Sequence, residues 1–166
     1  MKLKQIIYLF LISGILFSCA DNEKTAPKFN HLVEQFADIR VLRYKVPGFE
    51  ELSLKEKSLV YYLTQAGLAG RDIMWDQNYK HNLKIREALE SINANYSGDK
   101  ESDDFKAFKV YLKRVWFSNG IHHHYSNDKI KPAFTRDYFE TELLQKSSTE
   151  IAPEVVAVLF NDEDSK

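Results

Sequence analysis

Apolar residues along this chain recur at helical spacing. The clearest pattern starts after Ser53, which stands three residues before Glu56 in a capping-box arrangement. Leu59, Tyr62, Leu63, Ala66, Ala69, Ile73 and Met74 then form a stripe that predicts one helix from Leu54 to about Gln77. Gly67 and Gly70 lie near the stripe and weaken a helix by roughly 1 kcal/mol each; they mark a close helix–helix approach or a bend. Upstream, Phe29, Leu32, Val33, Phe36 and Ile39 also fit helical spacing, and Pro47-Gly48 is turn punctuation.

Leu83, Ile85, Ala88, Leu89, Ile92 and Tyr96 predict a further helix, which the polar stretch 97–104 ends. Ser102 and Asp103 are plausible N-caps for the next one. There Phe105, Phe108, Leu112, Val115 and Trp116 share a face, with Lys106, Lys109 and Lys113 opposite. Thr135 is placed to cap a short helix, and Pro153 suits the first turn of a last one, "PEVVAVLF". No strand alternation and no internal repeat stand out, so the expected fold class is mostly α.

The N-terminus departs from this pattern. Lys2 and Lys4 precede "IIYLFLISGILF", residues 6–17, an apolar run too short for a comfortable membrane span and suited to a signal peptide. It ends in "LFSC", and Cys19 is the one cysteine of the chain. The motif resembles a bacterial lipobox, which implies lipidation of Cys19 and a cell-envelope location, periplasmic or outer-membrane, on a lipid anchor. Phe17 is bulkier than such motifs usually carry. Residues 1–18 are thus expected to be a lipoprotein signal peptide, 19–28 a flexible tether, and 29–166 the helical region.

Composition narrows the function classes. A chain that is 44% hydrophobic and 13% aromatic has the material for a core, and a formal net charge of −1 gives no global attraction to nucleic acid. Candidate chemistry is sparse: there is no H-E-x-x-H, no glycine-rich phosphate loop and no G-x-S-x-G elbow. The most conspicuous polar stretch is "SNGIHHHY", with His122, His123 and His124 in a row. On an extended backbone His122 and His124 point to one side and His123 to the other. Such a pair supplies two zinc ligands, but a catalytic site needs a third from the protein. A metal site, a ligand-contacting loop and a polar turn after a helix are therefore all open readings. Asp72, Asp76 and Asn78 form a second polar cluster that capping and salt bridging explain as well as catalysis does.

Two long phrases carry a resemblance: "FADIRVLRYKVPGFEELSLKEKSLVYYLTQAGLAGRDIMWDQN" and "FKVYLKRVWFSNGIHHHYSNDKIKPAF". With the segment between them, they resemble the N-terminal region of the dipeptidyl peptidase III family, in its Bacteroidetes-type lipoprotein form, over about residues 29–160. The resemblance implies a two-lobed zinc exopeptidase that releases N-terminal dipeptides from short peptides. Its zinc would be held by an H-E-x-x-G-H motif and a later glutamate, none of which occurs in this sequence. The chain is then expected to be an N-terminal fragment, inactive alone, with no catalytic residue and no metal ligand of its own. Zinc and peptide substrate would belong to the full-length protein. Asn119, Gly120, His122, His123, His124 and Tyr125 are the candidate peptide-cleft residues. The alternative expectation is a free-standing helical periplasmic lipoprotein that acts as a binding or interaction module.

Overall fold

The computed structural model describes residues 29–161; the expected signal peptide, tether and Cys19 lie outside the described residues. The elements, in chain order, are β1 (Leu32–Phe36), β2 (Ile39–Leu42), a short 3-10 turn (Phe49–Glu51), α1 (Leu54–Ala69), α2 (Asp72–Asn78), α3 (Asn82–Asn95) and α4 (Asp103–Ser118). A continuous helical segment follows as α5 (Arg136–Tyr138), a π-helical stretch (Phe139–Leu144) and α6 (Gln145–Ser147), and α7 (Pro153–Phe160) comes last. The fold is mostly α, as the periodicity predicts.

Two expectations need correction. The segment from Phe29 to Ile39 is not a helix: β1 and β2 pair antiparallel as a hairpin. Its register passes from Leu32↔Leu42 to Glu34↔Val41, so a bulge at Val33 interrupts the period of two. That interruption leaves apolar spacing which reads equally well as helical. The turn also lacks the usual glycine; Ala37 takes a positive φ of 47° instead. The second correction concerns the helix after Ser53. It stops at Ala69 with Gly70 as its C-cap, and α2 starts afresh at Asp72. A Cβ at Gly67 would meet nothing within 4 Å, so this glycine does not mark a close helix approach.

Local signals elsewhere hold. Ser53 and Glu56 form the reciprocal capping box, Ser102 accepts from the Phe105 N–H, and Thr135 accepts from the Tyr138 N–H. The Ser53 hydroxyl and backbone N–H, both donating to Glu56, hold its carboxyl below the ordinary carboxylate range.

The core is built from the second half of the chain. Ile85, Leu89 and Ile92 of α3 pack with Phe108, Leu112 and Val115 of α4. Phe139 and Leu143 of the π-helical stretch and Val155, Val156 and Leu159 of α7 close it. Tyr96 stacks on Phe105 with ring centroids 4.7 Å apart. The hairpin attaches to α4 through ion pairs, Lys113 to Glu34 and Arg114 to Asp38. By contrast, α1 buries no residue at all. Leu59, Val60, Tyr61, Tyr62 and Leu63 are consecutive, so apolar side chains go right round its central turn, and all are exposed.

Candidate functional site

The loop after α4 is shaped by its first two residues. Asn119 adopts the left-handed conformation (φ 52°, ψ 40°) and ends the helix. Its N–H reaches the Trp116 carbonyl, and the Gly120 N–H reaches the Val115 carbonyl at 3.1 Å. This is the paired bonding of a Schellman motif, which satisfies the last carbonyls of α4. Asn-Gly is the pair best suited to it, because both residues take positive φ; Gly120 sits at 154°.

Beneath the loop lies Asn82, a residue that periodicity does not single out. It is only 1% exposed. Its Nδ2 donates to the Trp75 carbonyl (3.2 Å) and the Asn119 carbonyl (3.4 Å), and its Oδ1 accepts from the Ile121 N–H (3.2 Å). One amide thus ties α2, the start of α3 and the loop together. A Cβ at Gly120 would lie 2.2 Å from Asn82 Nδ2, so only glycine fits over this amide. In the sequence Asn82 stands in the polar run "NYKHN", immediately before the first apolar position of the predicted helix, Leu83.

The histidine run then separates. His122 is buried, and its ring meets Tyr79 edge-on at 5.0 Å. It also forms an antiparallel bridge with Lys129. The backbone bonds Ile130 N–H to Ile121 O and His123 N–H to Asp128 O, each 2.7 Å, flank that bridge and make a tight hairpin-like loop. Ser126 and Asp128 close its tip through side-chain bonds of 2.8 and 3.1 Å. Lys129 donates to the carbonyls of Val158 and Asn161, which fixes the base of the loop to the C-terminal end of α7.

His123, His124 and Tyr125 are exposed. The His123 and His124 rings lie 4.4 Å apart, His124 meets Phe117 at right angles at 5.0 Å, and Tyr125 lies 4.1 Å from His124. The three histidines do not converge on a point, and among the described residues no group of three or more His, Cys, Asp or Glu is arranged to hold a metal ion.

Asn119, Gly120, His122, His123, His124 and Tyr125 all line one cleft of about 330 Å³. Met74, Asn78, Asn82, Phe117 and Ser118 complete its wall. Of the second polar cluster, Asn78 joins this cleft, whereas Asp72 pairs with Arg86 at 2.7 Å. What the cleft offers is amide, imidazole and phenol hydrogen bonding beside aromatic faces. Those groups suit binding of a polar, extended ligand.

Compared with known proteins, the chain matches no family model, and no curated protein sequence matches it significantly.

Proposed function

We propose that this chain is the N-terminal part of a dipeptidyl peptidase III-type zinc exopeptidase of the cell envelope, anchored through Cys19. In this reading the loop 119–125 lines the peptide cleft. The observation that carries it is α1. A helix that is apolar all round its central turn and buries nothing is the kind that sits inside a larger body. The specific phrases quoted above supply the family; the uncovered helix supports the view that this region packs against more protein.

In the peptidase, zinc and the water-activating glutamate come from downstream, and this region contributes binding. His123, His124 and Tyr125 present their side chains on a loop anchored by Asn82 and Lys129, so their positions are set before a peptide arrives. Short peptides are held largely through backbone groups, which imidazole and amide side chains can reach.

The test is kinetic. In the full-length enzyme, His123→Ala, His124→Ala and Tyr125→Ala raise KM with zinc content unchanged; unaltered kinetics in all three overturn the cleft role. The purified chain with added zinc shows no peptide hydrolysis, and measurable turnover overturns the fragment reading. The same uncovered helix also favours a second reading, a free-standing module whose partner docks on α1. A reading frame that continues into H-E-x-x-G-H excludes it.

A further inference from the structure

A second concavity of about 330 Å³ adjoins the first. It shares Phe117, Ser118, His123 and His124 with the cleft described above. Three elements converge on it: the hairpin through Asp38, Ile39 and Arg40, α4 through Arg114, and the loop through Ile130. The two clefts adjoin at the His123–His124 pair, which lines both, and together are termed the groove.

The groove is electrostatically asymmetric. Its Met74–Asn78 end carries no formal charge, whereas the other end carries Arg40, Arg114 and Asp38. Asp38 is engaged by Arg114. Among the described residues the Arg40 side chain makes no ion pair or hydrogen bond, so one guanidinium is left over. Its five donors form a planar fork that matches a carboxylate in two parallel bonds. Arg40 faces Gln35 across the hairpin register, so no carboxylate on β1 lies directly opposite to compete.

We propose that this end of the groove is a carboxylate-binding site, with Arg40 as the principal ligand-contacting residue and the His123 and His124 rings as its floor. This rests on the peptide-cleft reading. Under it, the carboxylate is the C-terminus of a bound short peptide, and the site sets the direction in which the peptide lies along the groove.

The experiment titrates the chain with one short peptide as its free acid and as its C-terminal amide, and with acetate. Amide resonances of Ser118, His123 and Ile130 report binding. The acid binds at least about tenfold tighter than the amide at low salt, and the difference shrinks as salt is raised. Arg40→Gln, on an exposed strand position, keeps the fold's spectrum and abolishes the preference. Acetate binding as tightly as the peptide acid supports the carboxylate site and identifies a small free acid as its ligand. Equal affinity for acid and amide overturns the site but leaves the peptide cleft standing. A preference that survives Arg40→Gln, or no binding of any probe, also overturns it. The cleft itself is judged separately, by the kinetics of the His123, His124 and Tyr125 variants.

Discussion

At the scale of single residues, the loop depends on a buried amide and the glycine above it. Gly120→Ala drives a methyl group into the Asn82 side chain and places an L-residue at a φ that disfavours it. A loss of about 1–3 kcal/mol is expected, read from urea unfolding. Asn82→Ala leaves the Ile121 N–H without its acceptor in a buried setting and is expected to cost a similar amount, about 1–3 kcal/mol. Both variants also shift the resonances of His123 and His124, because the loop loses its anchor. The Asn-Gly turn and its position after a helix are legible in the sequence, since few pairs suit a left-handed C-cap. Asn82 is not legible: a buried asparagine in a polar run looks the same as an exposed one until the chain returns over it. For the same reason the division of the histidines, with His122 inside and His123 and His124 outside, follows from the bridge to Lys129 and not from the letters.

Elements were predictable where the signal is local. Ser53, Ser102 and Thr135 each bond a backbone N–H only a few residues away, so their cap roles survive whatever the tertiary context is. The hairpin was hidden for the opposite reason: its bulge removes the alternation, and its anchors Lys113 and Arg114 are far along the chain. The capping box also carries a pH dependence. Because the Glu56 pKa is lowered in the folded state, its contribution is present above the unfolded carboxylate range and lost as pH falls through the folded value. The N-terminal turn of α1 therefore frays on acidification, seen as lower protection factors, relative to the intrinsic exchange rate at each pH, for the Glu56 and Lys57 amides. In Glu56→Gln that acid-dependent step is absent.

For the whole molecule, the packed half from α3 to α7 and the uncovered α1 predict different responses to substitution. Leu59 and Leu63 are 58% and 63% exposed, so Leu59→Glu and Leu63→Glu leave the unfolding midpoint of the core within about 0.5 kcal/mol. The exposed apolar turn of α1 predicts self-association, which these two variants reduce, measured by sedimentation across a concentration series. If instead these variants unfold the core, α1 is packed against it in solution. The mostly α class and the core face of α4 were readable, because periodicity reports which side of a helix avoids water. The fate of α1 was not, because apolar residues all round a helix state that it needs cover and carry no record of what supplies it.

The bond from the Gly120 N–H to the Val115 carbonyl has a chemical consequence as well as a structural one. Asn-Gly pairs age spontaneously: the glycine nitrogen attacks the asparagine side-chain carbonyl, ammonia leaves, and water opens the resulting succinimide to aspartate or isoaspartate. Here that nitrogen is engaged by Val115, and Gly120 is buried under the loop. Folded protein is therefore expected to keep asparagine at position 119 during storage, while chain held in denaturant accumulates isoaspartate there, which peptide mapping detects. The pair becomes a slow clock that runs only while the loop is open.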